Sequence, residues 1–423
     1  MGGAARAGGA YLRTLAAARL LRDRPALERW QARQVRRWLH GPALDLPAFD
    51  GVRDAARREG LDALPVIDKA ALLEGFAGCN RLGLSAAEAL ALADAGHAPP
   101  GYAVGASTGT SGTRAPYVVS EAERFRWLGT ILAKALPDAP VRRHRVAVAL
   151  PRGSALYDAA GAPALRLLFL PTGDGLPALR DRLEAFGPTV LVAPPHVLRW
   201  LAERGARIAP ERVFSAAEVL DPFDRALVAP AFPRAQLGEI YMATEGLFGV
   251  TCRKGTLHLA EDRVHFELEP AGPGLVSPIV TDFSRTAQAM ARYRMNDLLR
   301  LGGPCPCGSP LRAVAAVEGR CDDAFVLPSP AGAAMVTPDA LRDAVVSAVP
   351  GLTDFRLVQD GPDRATLTLP PDLARFGSRA AAAVERAAIR AGGSLRVAAD
   401  SRPLPPPSVK LRRVERRWRP DRP

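Results

Sequence analysis

Three short apolar runs decide the fold: Thr189-Val190-Leu191-Val192-Ala193, Arg212-Val213-Phe214-Ser215 and Leu237-Gly238-Glu239-Ile240-Tyr241. Each has the length and composition of a buried strand, and helical stretches at His196–Arg204 and Pro222–Ala229 separate them. The same alternation begins upstream, with strands over Arg145–Leu150 and Leu165–Leu170 and a helix over Pro177–Phe186. Strands that alternate with helices predict an α/β fold built on mostly parallel sheets. After about residue 324 the pattern changes. A helix at Pro338–Val349 is followed by strands Asp354–Gln359 and Ala365–Leu369, a helix Ser378–Ala391 and a strand Ser394–Ala399. That is the size of a small α+β domain. The expectation is a large N-terminal domain over residues 1–320 and a small mobile C-terminal domain over 321–423, with the boundary near Gly319–Asp323. Ahead of both, Tyr11 to Leu39 reads as one or two amphipathic helices.

A chain of 423 residues that is 48% hydrophobic can bury more than one core, which excludes wholesale disorder. Its net charge of +12 raises the question of a polyanionic partner. The charge sits at the ends. Residues 1–60 hold 12 Arg against 6 acidic residues, residues 410–423 hold 7 basic against 2 acidic, and the stretch between is nearly neutral. Without interleaved aromatics or a nucleic-acid-binding signature, this distribution argues against nucleic acid as a partner. No apolar run has the length of a membrane span, and arginines interrupt the apolar residues near the N-terminus, so a soluble cytoplasmic protein is expected. Only four lysines occur, Lys69, Lys134, Lys254 and Lys410, beside 52 arginines. A lysine retained inside the Arg-rich tail, Lys410, points to a need for a compact ammonium on a flexible stem.

The densest cluster of small and hydroxyl residues is Ser107-Thr108-Gly109-Thr110-Ser111-Gly112. Its amides and hydroxyls suit a polyphosphate. It lacks the GK[ST] ending of a Walker loop, a strand at Tyr117–Val119 follows it, and a capping box Ser120…Glu123 opens the next helix. Taken alone the cluster is equally an ordinary surface loop. His40, His97, His144, His196 and His265 have no partner that the sequence identifies, which argues against a hydrolase triad.

Two further motifs follow in order, Tyr241-Met242-Ala243-Thr244-Glu245 and Arg292-Tyr293-Arg294-Met295-Asn296-Asp297. With the glycine-rich cluster they resemble the signatures of the adenylate-forming superfamily, which includes acyl-CoA synthetases, luciferases and the adenylation domains of peptide synthetases. Within it the chain is most similar to phenylacetate-CoA ligase and to the synthetase that adenylylates a deazaflavin coenzyme, and the resemblance runs from the N-terminal helices to the last lysine. It implies activation of a small-molecule carboxylic acid by ATP and Mg²⁺, with release of pyrophosphate and transfer of the acyl group to coenzyme A. Related acceptors, an amine, a carrier protein or a deazaflavin-type recipient of AMP, stay open.

The resemblance also implies roles. Ser107–Gly112 would cover the β- and γ-phosphates, Thr244 would bind phosphate and Glu245 would hold Mg²⁺. Tyr241 would stack on adenine, with Ala217 and Glu218 on the other side. Asp297 would bind the ribose hydroxyls near Arg320, Asp322 would be the hinge, and Lys410 the adenylation lysine. The chemistry agrees with these roles, because a carboxylate attacking a phosphate needs cations at the reacting centre. Met295-Asn296 and Arg114 depart from the family pattern. Tyr157, Phe169, Trp200 and Phe214 are candidates for an acyl pocket.

The five cysteines, an odd number, make a poor disulfide framework. Cys252, His258, Cys305 and Cys307 form a set that tetrahedral Zn²⁺ favours. Reduced cysteines around a turn are the alternative from the residues alone, and the resemblance favours a structural zinc.

Overall fold

The computed structural model describes residues 2–107, 114–150, 165–330, 332–404 and 412–419. Five parallel strands lie side by side in the spatial order Leu165–Pro171, His144–Leu150, Val190–Ala193, Arg212–Ala216, Gln236–Ala243. Parallel sheets are covered on both faces, and alternation along the strands serves both. Ala147 and Ala149 face the crossover helices Leu176–Phe186, Pro195–Glu203 and Pro222–Ala231, packing with Leu179, Leu183, Leu198 and Val228. Val146 and Val148 face the opposite way, toward Leu136 and the apolar side of helix Glu121–Ala135. That helix carries the N-terminal helix Gly3–Leu20 on its back, and Gly129 permits the close approach: a Cβ there would stand 2.1 Å from the Ala7 carbonyl oxygen.

The parallel expectation describes only half of the sheet. After Ala243 the chain reverses at Thr244-Glu245, and antiparallel strands Gly246–Thr251, Leu257–Leu259, Ala313–Arg320, Asp297–Leu301, Leu275–Asp282 and Val264–Gly272 extend the sheet to twelve strands, with the short Tyr293–Arg294 pairing off the path. Hairpins rather than helices join most of these strands, so nothing imposes a parallel crossover. The second N-terminal helix, Arg24–Leu39, is tied to this half through Glu261, whose fully buried carboxylate accepts from Arg24 at 2.8 Å and from the Arg312 amide at 2.6 Å.

From Phe325 onward the chain builds a second core. Phe325, Leu341, Val345, Phe355, Leu357, Leu367 and Val384 pack together beneath a four-stranded sheet ordered Arg396–Ser401, Arg364–Leu369, Arg356–Gln359, Val414–Arg416. The basic segment after residue 410 reads from the sequence as a solvated tail, and the structure corrects this. Val414–Arg416 is a parallel strand against Arg356–Gln359, and Arg413 is buried. No helix among the described residues is long and apolar enough to cross a membrane.

The capping box forms as the sequence predicts, and Glu123 does more than cap. Its buried carboxylate accepts from the Ser120 amide and hydroxyl, each at 2.8 Å, and also from the Thr286 amide and hydroxyl and the Ala287 amide. Burial raises its pKa, but these hydrogen bonds outweigh burial and hold it below the ordinary value of 4.5. A depressed folded-state value contributes stability that is present above about pH 4.5 and lost as the pH falls through it. Glu123→Gln is therefore expected to cost about 1–3 kcal/mol at neutral pH and to flatten the acid limb of a stability–pH profile measured by urea unfolding.

Candidate functional site

A cavity of about 220 Å³ opens where the parallel strands end, and Ala217, Glu218, Tyr241, Asp297 and Arg320 all line it. Crevices at this end of an open α/β sheet are where such folds take ligands. Ala217 follows the strand Arg212–Ala216 directly and adopts φ 69°, a left-handed conformation unusual for a residue with a Cβ. Tyr241 packs against Phe248, ring centroids 5.5 Å apart, and its hydroxyl donates to Asp297 Oδ2 at 2.6 Å. Burial, together with the charges of Asp297 and Glu245, pushes the phenol well above its ordinary value, so it remains a donor. Asp297 and Arg320 face each other across adjacent strands. Asn296, which departs from the family pattern, bonds Asp322 in both directions: its amide donates to Asp322 Oδ2 at 2.8 Å and its oxygen accepts from the Asp322 amide at 3.1 Å. The expected hinge residue thus sits in the turn Cys321–Asp323, clasped to the strand region of Asp297.

The Thr244-Glu245 reversal lies beside this cavity. Thr244 Oγ1 donates to Glu245 Oε2 at 2.8 Å and the Tyr293 hydroxyl to Glu245 Oε1 at 3.3 Å. Arg285 holds the reversal in place. Its guanidinium donates to the carbonyls of Thr244 (3.2 Å) and Glu245 (2.8 Å) and, from its other arm, to that of Val118 (3.2 Å). Val118 belongs to the antiparallel pair Tyr102–Ala106/Pro116–Ser120, the two strands that flank the glycine-rich cluster in sequence. Ser107 closes the end of that pair, its hydroxyl accepting from the Ala115 amide at 2.8 Å, while Thr108, Gly109, Thr110, Ser111 and Gly112 lie outside the described residues, as does Lys410. Arg114, which stands where the family pattern has lysine, grips Asp94 with its fork at 2.7 and 2.8 Å.

Motif reading missed two residues. Arg285 lies in no recognised pattern. Lys69 was marked only by the scarcity of lysine, yet it starts the helix Lys69–Glu74 within electrostatic reach of Glu245, Arg320 and Asp322. Burial lowers its pKa, opposed by Glu245 and Asp322. Two of the histidines acquire neighbouring carboxylates: His196 Nδ1 lies 2.9 Å from Glu218 Oε1, and His144 lies 3.3 Å from Asp138. The aromatic candidates for an acyl pocket do not converge. Trp200 packs into the cluster on one face of the sheet, Phe169 and Phe214 into that on the other, and Tyr157 lies outside the described residues.

A second constellation lies at the far end of strand Gly246–Thr251. The ligand atoms of Cys252, His258, Cys305 and Cys307 all fall within 4.8 Å of one another. Cys252 and Cys305 sulfurs are 3.8 Å apart, and Cys307 Sγ is 3.3 Å from His258 Nε2. His258 Nδ1 is 2.9 Å from the Leu311 carbonyl, a contact that places the proton on Nδ1 and leaves Nε2 free to coordinate. Burial opposes ionisation of Cys305, but hydrogen bonding with the Thr256 hydroxyl and from the Cys307 amide brings its thiol down to about 6. Three sulfurs and one imidazole nitrogen gathered this closely are a donor set that a closed tetrahedral metal site could use.

No protein-family model matches the chain, and no curated protein does. Solved structures do match. 2-Hydroxyisobutyryl-CoA ligase in its postadenylation state, with 2-HIB-AMP bound, superposes with a TM-score of 0.67 at 19% identity, over 93% of this chain and 90% of that one. The fold is that of the adenylate-forming enzymes. The same ligase in an open conformation with 2-HIB-AMP and CoA gives 0.57 at 20% identity over 92% and 91%, and in the thioesterification state 0.53 at 20% over 94% and 90%. A GH3.15 acyl acid amido synthetase gives 0.57 at 13% identity, over 90% of this chain and 87% of that one.

Removing the buried guanidinium that joins the two halves of this site should be costly. Arg285→Met leaves three carbonyls unpaired and is expected to lower stability by about 3–5 kcal/mol, read as a shift of the urea midpoint without a large change in slope.

Proposed function

We propose that this protein activates a small-molecule carboxylic acid with MgATP and passes the acyl group to coenzyme A. The observation that carries the reading is convergence: Ala217, Glu218, Tyr241, Asp297 and Arg320, drawn from separate stretches of sequence by their motifs, line one cavity beside the Thr244-Glu245 reversal. The likeness in fold to a ligase solved with an acyl-adenylate supports it.

In the first step a carboxylate oxygen of the acid attacks the α-phosphorus of ATP, and the bond to the α,β-bridging oxygen breaks to release pyrophosphate. Adenine stacks on Tyr241 with Ala217 and Glu218 opposite, and Asp297, oriented by the Tyr241 hydroxyl, accepts from the ribose hydroxyls. Thr244 binds phosphate, Ser107–Gly112 folds over the β- and γ-phosphates, and Glu245 is the residue that would hold Mg²⁺, which neutralises phosphate charge when bound. Lys410 supplies the mobile cation between the carboxylate and the α-phosphate. In the second step the thiol sulfur of coenzyme A, giving up its proton, attacks the acyl carbon and AMP leaves. The C-terminal unit from residue 321 rotates about Asp322 between the steps. The higher TM-score against the postadenylation state than against the thioesterification state, with nearly equal coverage, supports an arrangement close to the first of these.

We also infer one structural Zn²⁺ per chain, held by Cys252, His258, Cys305 and Cys307, with a cytoplasmic setting in which the five free cysteines stay reduced. The site clamps the loop after strand Gly246–Thr251 to the loop after Asp297–Leu301.

Lys410→Ala is expected to abolish acid-dependent exchange of pyrophosphate into ATP while leaving ATP binding, followed by calorimetry, intact; exchange at the wild-type rate would overturn the assignment. A panel of acids read by pyrophosphate release, with coenzyme A or amines added, identifies both acid and acceptor. Elemental analysis of the purified protein should return one zinc per chain, and Cys305→Ser should lower both the zinc content and the melting temperature. Zinc far below one equivalent in protein purified without chelator would remove the metal assignment.

A further inference from the structure

Arg413 belongs by its backbone to the C-terminal sheet and by its side chain to the N-terminal body. Its carbonyl accepts from the Leu357 amide at 2.7 Å, in the ladder between Val414–Arg416 and Arg356–Gln359. Its guanidinium donates to Asp221 at 2.6 Å and, through both arms, to the two oxygens of Asp224 at 2.8 Å each. Asp221 caps helix Pro222–Ala231 of the N-terminal body and Asp224 lies in its first turn. The third partner, Asp354 at 2.9 Å, lies in the C-terminal unit itself. The crossing is reinforced around its rim. Arg199 of the N-terminal body stands 3.3 Å from Asp224 and donates to the Thr353 carbonyl of the C-terminal unit, and Arg342 of that unit lies 3.9 Å from Asp221. The guanidiniums of Arg199 and Arg413 both stack on Phe223, at 5.7 and 5.4 Å from the ring centroid. Arg413, Asp221 and Asp224 are all buried, and all three line the cavity described above.

Burying this many ions costs desolvation that a hydrophobic contact would avoid, and such a cluster is best suited to fixing one geometry among several. It forms in only one orientation of the two bodies, because a rotation about Asp322 would carry Arg413 away from Asp221 and Asp224 while leaving Asp354 with it. The hinge is braced by the same segment: Arg412 donates to Asp323 Oδ1 at 2.5 and 3.1 Å, and Arg416 Nε to the Asp322 carbonyl at 3.3 Å. Arg413 follows Lys410 by three residues in the chain.

We propose that Arg413, seated between Asp221 and Asp224, is a positioning residue for the adenylation half-reaction alone: it latches the C-terminal unit in the orientation that presents Lys410 and releases it for acyl transfer. The proposal rests on the reading of the protein as a two-step acid–CoA ligase. Asp354 serves as the partner that travels with Arg413, so the guanidinium does not lose all its carboxylates when the latch opens.

The two half-reactions separate this role from a merely structural one. Arg413→Met and Asp224→Asn are each expected to slow acyl-adenylate formation, measured as acid-dependent pyrophosphate exchange, by roughly a hundredfold, as expected for one partner lost from a buried ion pair. Transfer from synthetic acyl-adenylate to coenzyme A should be slowed at least tenfold less than exchange, since that step does not need the latched orientation. The double variant should lose no more than Arg413→Met alone. Equal losses in both half-reactions by folded protein, or an unchanged exchange rate, would overturn the latch. Should Arg413→Met not fold, as judged by its melting transition, Arg413→Lys keeps the charge without the fork and should show the same split in smaller measure. Limited trypsinolysis reads the latch without catalysis: cleavage after Arg320, in the hinge, should accelerate about tenfold or more in Asp224→Asn as the closed population falls, and cleavage at the wild-type rate refutes the proposal. If the wild-type protein forms no adenylate from any acid, the functional reading fails, while the proteolysis still decides whether Arg413 holds the two bodies together.

Discussion

The chain reversal at Thr244-Glu245 divides the large sheet into its parallel and antiparallel halves, and a single guanidinium fixes it. Arg285 is buried, and the hydrogen bonds it makes run to the carbonyls of Thr244, Glu245 and Val118 and to the side chain of Gln288. A cation in that position satisfies carbonyls that a tight reversal leaves without ladder partners. It also sets the distance between the reversal and the strands that flank the glycine-rich cluster. Glu123 repeats the arrangement with the opposite sign, gathering the amides of Thr286 and Ala287 onto the helix that follows the same strands. The nucleotide end of the proposed site is in this sense built from two buried charges that compensate backbone dipoles rather than each other.

The distribution of charge has a second consequence. Part of the basic C-terminal end is used inside the fold. Two of its arginines pair internally, Arg413 with Asp221, Asp224 and Asp354, and Arg412 with Asp323 and Glu415. The N-terminal excess is partly consumed in the same way, as Arg24 pairs with the buried Glu261. These pairs leave the net charge of +12 unchanged, because each removes an acidic group together with a basic one.

Much of the architecture was legible because it obeys local rules. Strand and helix between Arg145 and Tyr241 followed from apolar runs and helical spacing, and the capping box at Ser120 from four residues of sequence. The antiparallel half was not, because its strands are short, irregular in register and joined by turns with no strong signal, as the shifts in pairing between Asp297–Leu301 and Ala313–Arg320 illustrate. Of the candidate site, the residues singled out by motif, Tyr241, Asp297, Ala217, Glu218 and Arg320, share a cavity. Residues whose role depends on long-range neighbours were not. Arg285 contacts a residue 167 positions away, and Arg413 one 189 positions away. A basic run at a terminus looks the same in sequence whether water or aspartate solvates it.

The sequence by itself determined the class of fold, the order of the motifs and the four-residue Cys/His set, because each depends on composition and spacing along the chain. Only the tertiary structure decided that the Cys/His set converges within 4.8 Å, that Asn296 clasps Asp322, and that Arg413 spans two separately packed bodies. The physical reason is the same in each case. Desolvated polar groups must find partners when the chain folds, and which partners they find is fixed by the register and packing of strands distant in sequence.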